Sequence, residues 1–415
     1  MHTDAGARIL ARADELAQYT EDPPRVTRAL LTPQHRAAGE SILGWMREAG
    51  MQAAFDALGN VVGRYEGATP GAPALLTGSH MDSVRNAGRY DGLLGILCPV
   101  ESVRRLHESG KRQPFAIEVI AFADEEGVRF SATLLGSHAL SGTFDPAWLD
   151  KTDSSGITMR DALRSFGGKP EAIASMKRDP ATVLAFVEVH IEQGPVLLSE
   201  GRPLGVVTAI TGGSRYSIEV TGLAGHAGTV PMGLRRDALA GAAEMIVAAE
   251  RIAGGSPGTV ATVGRIFARP GAINVIPGEA QFTLDARAPR DEPRLALEKA
   301  LLSAFDEIAA RRSLKVACTR MLELKAATCA PWLMDQLGES LRRKGVEERR
   351  LPSGAGHDAM AIAPIADIAM LFVRCGNGGI SHHPDETLTA EDAGLAVDVM
   401  HDFMLNFRPP PEKPR

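Results

Sequence analysis

Four glycine-bearing stretches concentrate the side chains that hold metal ions and move protons. The first is Gly78-Ser79-His80-Met81-Asp82-Ser83, followed closely by Tyr90-Asp91-Gly92. The others are Asp124-Glu125-Glu126-Gly127, His190-Ile191-Glu192-Gln193-Gly194 and Gly379-Ile380-Ser381-His382-His383-Pro384. Imidazole nitrogen and carboxylate oxygen are the donors that zinc-like ions accept. The candidate ligands are therefore His80, Asp91, Glu126, His190 and either His382 or His383. This set exceeds what one tetrahedral ion needs, and two ions bridged by a single carboxylate would use it in full. Such a pair activates a water and stabilises a developing oxyanion. Glu125 stands beside a ligand without having to be one, which makes it the natural general base.

Each stretch also has a plainer reading. His80 beside Asp82 could be a surface hydrogen bond, and Glu125-Glu126 a solvated acidic turn. His226 could be an exposed loop residue. Arg287 could pair with Asp285 or Glu279 on a strand surface, to little energetic effect. His357-Asp358 could be a hydrogen bond at a helix start. His35, His107, His138 and His401 match no motif and read as structural or surface residues. It is the joint occurrence in order that favours a metal site.

The elements that must position these groups follow from periodicity. Ala74-Leu75-Leu76 predicts a buried strand within 73–79 that ends at a glycine, with His80 and the aspartates in the loop beyond. Phe115–Phe122 predicts a strand running into the acidic turn, and Val183–Val189 one that ends at His190. Further strands are expected at 51–56 and 60–66. Thr32 is an N-cap with Pro33 at the first helical position, and Gly50 closes that helix. A helix over 92–109 should be kinked or interrupted by Pro99, and a short one fits 8–18. Strands separated by helices predict an α/β sheet, whose sites lie past the strand carboxyl ends. From about Thr211 the pattern changes. Strands at 215–221, 259–268, 279–287 and 314–320, with helices at 234–252 and 291–312, give the β-α-β-β-α-β order of a ferredoxin-like insert. The α/β character returns with helix 332–344, strand 366–373 and a helix near 390–406 capped by Thr389 and Asp392. The division is thus 1–211 with 329–415 as one discontinuous domain, and 212–328 as the inserted one.

Composition sets bounds. The 415 residues suffice for two domains, and the formal charge of −6 gives no reason to expect nucleic acid or an acidic membrane as partner. Cys98, Cys318, Cys329 and Cys375 are scattered without a CxxC pair, which suits a reducing cytoplasm and not a disulfide framework or a cysteine zinc site. No signal peptide is visible, and no apolar stretch approaches the ~20 residues of a membrane span. The proline- and charge-rich tail from Arg408 to Arg415 reads as disordered.

Taken together, Gly78–Asp82, Asp91-Gly92, Glu125-Glu126-Gly127-Val128-Arg129-Phe130, His190–Gly194 and Gly379-Ile380-Ser381-His382 resemble the M20 metallopeptidase family. More narrowly they resemble its hydantoinase/carbamoylase branch: allantoate amidohydrolases, N-carbamoyl-L-amino-acid hydrolases and β-ureidopropionases. The resemblance extends over nearly the whole chain, the insert included. It implies a zinc-peptidase-like mixed sheet flanked by helices, with the ferredoxin-like α+β insert serving as lid and dimerisation surface of a homodimer. It implies two divalent ions per subunit, Zn²⁺ or Mn²⁺, with Co²⁺ or Ni²⁺ also suited to N/O sites. Asp91 would bridge them, His80 and His190 completing one site, Glu126 and His382 the other. Glu125 would carry a proton from water to the leaving nitrogen, and Asp82 would orient His80. His226, in Leu223–Met232, would polarise the substrate carbonyl, often from the partner subunit. Asn274 and Arg287 would grip the substrate carboxylate. Gln193 would reach the ureido group, and Arg215, Gly356 and His357 complete the substrate set. The implied activity is hydrolysis of a linear ureido or carbamoyl C–N bond on a small carboxylate, most closely allantoate. An N-carbamoyl-L-amino acid is the near alternative, a peptidase or aminoacylase of the wider family the next. Intact Glu125 speaks against a metal-binding protein without turnover.

Overall fold

The strands that precede the histidines and acids are mostly apolar and buried nearly throughout, and such runs are stable only when covered on both faces. In the computed structural model, which describes residues 2–410, they form the middle of a mixed sheet. Its strands run in the order Gln52–Phe55, Val61–Tyr65, Ala116–Phe122, Ala74–His80, Val183–Ile191, Ile368–Val373 and Leu204–Ile210, with Arg350–Ser353 also pairing with the last. The four central strands are mutually parallel and the outer pairings antiparallel. Parallel alignment brings their carboxyl ends to one edge. His80 lies opposite Phe122, the last residue of the strand that leads into the acidic turn, and His190 lies opposite Phe372.

Helices Leu93–Glu108, Pro33–Glu48, Pro331–Arg343 and Asp358–Ile362 pack on this sheet, and His2–Ala17 and Ala390–Asn406 pack against Leu93–Glu108. Thr32 Oγ1 accepts from His35 N and Thr389 Oγ1 from Asp392 N, so both caps form. Leu93–Glu108 is one helix with Pro99 inside it, so the interruption expected there does not occur. The helix is buried along most of its length, and that packing outweighs one missing backbone bond. Two strands also extend further than their sequences suggest. Gly78, at φ +149°, does not end its strand, because a Cβ there would lie 1.9 Å from Ile120 O; glycine is what lets the neighbouring strand approach. His80 and His190 are consequently strand residues rather than loop residues.

By its own contacts the chain divides into two compact units: residues up to Thr208 with Cys329–Leu351 and His357 onward, and Ala209–Thr328 with Pro352–Gly356. Pro352–Gly356 thus groups with the insert, although its position in sequence assigns it to the discontinuous domain. Within the second unit, the strands run Ile266–Arg269, Glu279–Ala288, Gly212–Thr221, Lys315–Leu324, all antiparallel. Helices Ala238–Gly254 and Asp291–Arg311 cover one face, meeting Tyr216, Ile218, Val220, Phe282 and Leu284 in a common core. The segment expected as one strand over 259–268 is split into Val260–Thr262 and Ile266–Arg269, and the first helix begins at Ala238, capped by Asp237, instead of near Leu234.

Among the described residues no helix is long and apolar enough to cross a membrane. Of the proline-rich tail, residues 411–415 lie outside the described residues. Arg408 is tied down rather than disordered: its N–H donates to Gln336 Oε1 at 3.0 Å and its guanidinium meets Glu339 at 2.7 Å.

Candidate metal centre

Asp91 lies at the focus of the first unit's polar groups. It precedes Gly92, at φ +69°, whose lack of a side chain lets the backbone pass against the His80 ring. Asp91 is 7% exposed. Its Oδ1 is 3.5 Å from His80 Nε2 and 3.2 Å from His190 Nε2. Its Oδ2 is 3.0 Å from His382 Nε2, which is 3.3 Å from Glu126 Oε1. Two triads of potential ligand atoms, His80-Asp91-His190 and Asp91-Glu126-His382, therefore share one carboxylate. His383 turns away, its Nδ1 accepting from Asp385 N.

The tautomers follow from the other ring nitrogens. His80 Nδ1 faces the backbone and side-chain oxygens of Asp82, at 3.2 and 3.4 Å, so it carries the proton and Nε2 keeps a lone pair. His190 Nδ1 donates to Ile191 O at 2.8 Å, while its Nε2 accepts from Gly92 N at 3.3 Å. Two nitrogen lone pairs and Asp91 Oδ1 thus face one another. That oxygen is buried and lacks a hydrogen-bond partner. Facing acceptors around an unsatisfied carboxylate oxygen fit a cation.

Charge in this cluster is strongly perturbed. Burial raises the Asp91 carboxyl, but His190, His382 and His80 outweigh it and hold it well below the usual range. Burial lowers His80 and His190, and their carboxylate neighbours raise them above an ordinary histidine. Asp91, ahead of burial, lifts His382 to about 9. Burial lifts Glu126 to about 7 and pushes Glu125 well above its usual value.

The acidic turn is held by Asp82, whose Oδ1 accepts from Glu125 N at 3.0 Å and Oδ2 from Glu126 N at 3.2 Å. One carboxylate thus fixes the His80 ring and the backbone that presents both glutamates. Ligand atoms of His80, Glu125 and Glu126 approach within 4.8 Å of one another. Gln193, at φ +56°, points its Nε2 at Asp91 Oδ2 at 3.0 Å, and its buried Oε1 lacks a partner. His357 is 1% exposed and stacks edge-on against His190, its ring centroid 4.5 Å away. It lies behind the cluster instead of facing outward as a substrate contact should.

Sequence reasoning overlooked two carboxylates. Glu188 lies beneath the cluster, accepting from Ser79 Oγ at 2.7 Å and Ala359 N at 3.1 Å, and belongs to a third ligand-like group with His190 and His357. Its signal was present: a lone acid inside Val183–Val189. Glu386 accepts from Tyr90 N and Ser381 Oγ, each at 2.8 Å. Nothing in Pro384-Asp385-Glu386 distinguishes it from a surface acid.

The remaining predicted residues belong to the second unit. There the Asp285 carboxylate receives Arg287 Nε at 2.9 Å and Arg215 Nε at 2.9 Å, and Arg287 Nη1 donates to Gly354 O at 2.7 Å. Arg215, Asp285, Arg287 and Gly354 line a cavity of about 570 Å³. Burial raises Asp285, but the two guanidiniums prevail and keep it below the usual carboxylate range. His226 is exposed on a two-residue strand opposite Val275, and the carbonyl of exposed Asn274 accepts from Ala227 N at 3.0 Å. Gly356 lies in the short segment after Gly354.

Comparison with known proteins is consistent with this centre. Residues 76–406 match the peptidase family M20/M25/M40. An N-carbamoyl-L-amino acid amidohydrolase from Geobacillus stearothermophilus is 40% identical over 95% of this chain and 97% of its own. An allantoate deiminase from Arabidopsis thaliana is 41% identical over 95% of this chain and 81% of its own. The crystal structure of a hydantoinase/carbamoylase family amidase from Burkholderia multivorans superimposes with a TM-score of 0.89 at 35% identity, covering 96% of this chain and 97% of that one.

Proposed function

The chain belongs to peptidase family M20/M25/M40, and from that premise we propose that it is a metal-dependent amidohydrolase cleaving a linear ureido C–N bond of a small carboxylate, allantoate. The observation that carries this reading is Asp91, whose two oxygens each face a separate set of ligand atoms. His80 and His190 would hold one divalent ion with Asp91, and Glu126 and His382 would hold a second with it; Zn²⁺ and Mn²⁺ suit such donors, as do Co²⁺ and Ni²⁺. When bound, such a pair lowers the pKa of water and offers positive charge to a developing oxyanion.

The residues of the chain divide the remaining work. Glu125 removes a proton from the attacking water and returns it to the nitrogen that leaves. The hydroxyl joins the carbamoyl carbon, the C–N bond breaks, and the products are an amine and carbamic acid, which decomposes to ammonia and carbon dioxide. Asp82 holds the Glu125 backbone and the His80 ring in register. Gln193 Oε1, buried and unpartnered, is an acceptor for a ureido N–H. By the family resemblance, His226 donates to the substrate carbonyl oxygen, Arg287 and Asn274 grip its carboxylate, and Arg215 and Gly356 complete the substrate set; the ring of His357, packed edge-on against His190, supports that ligand instead. The same resemblance supports a homodimer with the second unit as lid and dimerisation surface. The free cysteines, three buried and one partly so, suit a cytoplasmic setting.

A second reading, hydrolysis of an N-carbamoyl-L-amino acid, is favoured by the Geobacillus relative, matched over nearly its full length. Ammonia release from allantoate and from several N-carbamoyl-L-amino acids, measured on protein loaded with Zn²⁺ or Mn²⁺, separates the two. Turnover of carbamoyl amino acids alone replaces the first reading with the second, and turnover of neither removes both.

A further inference from the structure

We infer that Glu386 is a positioning residue that keeps Asp91 available to a cation, an inference that rests on the reading of Asp91 as a bridging ligand. Glu386 is 4% exposed. Its Oε1 accepts from Tyr90 N at 2.8 Å and Asp91 N at 3.2 Å, and its Oε2 accepts from Ser381 Oγ at 2.8 Å. One carboxylate therefore joins the loop that carries Asp91 to the loop that carries His382. The approach depends on Gly88, where a Cβ would lie 2.3 Å from the Glu386 carboxyl.

The contact with Ser381 has a chemical consequence. Ser381 Oγ also lies 3.2 Å from Asp91 Oδ2, but a hydroxyl has only one proton to give. The shorter contact, to Glu386, takes that proton. Asp91 Oδ2 then accepts from Gln193 Nε2, faces a hydroxyl lone pair on Ser381, and keeps its second lone pair open to a positive partner. Without a carboxylate at 386 the proton turns to Asp91 and competes with the ion. Glutamine cannot replace glutamate here. It offers one acceptor oxygen, and if that oxygen serves the Tyr90 and Asp91 amides, its NH₂ faces Ser381 Oγ and sends the hydroxyl proton to Asp91.

Co²⁺ affinity, measured by chelator competition and by the visible spectrum of the bound ion, tests this in four proteins: wild type, Glu386→Gln, Ser381→Ala and the double variant. Glu386→Gln should weaken Co²⁺ by about 10- to 100-fold, the usual effect of losing a partner that orients a ligand. Ser381→Ala, which removes the competing proton, should stay close to wild type, and the double variant should recover most of the loss. A double variant as weak as Glu386→Gln overturns the inference, because the defect is then loose packing of the loops. Glu386→Gln binding as tightly as wild type overturns it too. Wild type that takes up no Co²⁺ removes the metal reading itself, which a failure confined to the variants does not. If Glu386→Gln does not fold, Gly88→Ala displaces the same carboxylate while keeping its charge, and the rescue by Ser381→Ala is read in that background with the same outcomes.

Discussion

His35 Nε2 donates a 2.9 Å hydrogen bond to the carbonyl of Ala123, the residue just before Asp124-Glu125-Glu126. The ring is fully buried and its Nδ1 has no partner. Burial pulls its pKa from 6.5 down to about 4. The folded state therefore keeps His35 neutral while the unfolded chain takes up a proton below 6.5, so stability falls as pH drops from 6.5 toward 4 and is unaffected above. With 1.36 kcal/mol per unit, the loss is about 2 kcal/mol by pH 5 and about 3 kcal/mol in full. Urea midpoints at pH 7.5 and 5.0 measure it. His35→Gln keeps a donor for Ala123 but cannot titrate, so its midpoint should fall less. Equal falls in both proteins would assign the acid sensitivity to other groups.

Glu125→Gln tests proton transfer apart from architecture. The bond to Asp82 comes from the Glu125 backbone, so the side-chain change leaves the turn in place. The variant should keep its metal content and lose about 10²- to 10⁴-fold in kcat, with KM little changed. Loss of an ion would make Glu125 a ligand instead of the base, a role its proximity to His80 and Glu126 permits.

Most elements that position the centre were legible in sequence, because buried parallel strands write themselves as apolar runs and caps as Thr-Pro or Thr-x-x-Asp. The acids and histidines at the strand ends were legible for the same reason: each interrupts such a run. What stayed hidden depends on contacts between distant segments. Ser381 lies near Asp91 only after folding, and Glu386 is a polar residue among polar residues. His35 matched no motif, because its partner, the carbonyl of Ala123 just past the strand Ala116–Phe122, comes near it only in the fold. Pro99 misled for the converse reason, since local propensity cannot report how much packing supports a helix.

Asp91→Ala addresses the shared ligand. In wild type, Zn²⁺ at a hundredfold excess over its dissociation constant should stabilise the fold by about 2.7 kcal/mol for each ion bound. The variant lacks the carboxylate common to both triads and should show almost none of that shift. Thermal denaturation with and without ion reads the difference, and an undiminished shift would mean that Zn²⁺ binds elsewhere.

Arg287→Ala probes substrate recognition in the second unit. Asp285 keeps a partner in Arg215 at 2.9 Å, so the unit should fold. A substrate carboxylate loses a charged hydrogen bond of about 1.5–3 kcal/mol, which raises KM by about 10- to 100-fold. A neutral ureido amide should be unaffected. If both substrates weaken equally, Arg287 serves Asp285 and Gly354 O, which it already contacts, and not the substrate.

Gly78→Ala asks how closely the strands must approach for His80 to reach its place. The added methyl would stand 1.9 Å from Ile120 O, a backbone atom of the adjacent strand, at a φ of +149° that disfavours any side chain. Neither partner is a flexible side-chain end, so the strands must separate locally. The cost should be about 3 kcal/mol or more, at the upper end for overpacking, and it should appear in the urea midpoint. Because His80 is two residues on, at the end of the same strand, metal affinity should drop along with stability. A variant as stable as wild type would show that Gly78 is not needed to seat the two strands. A destabilised variant with full metal affinity would show instead that Asp82 alone holds His80 in place.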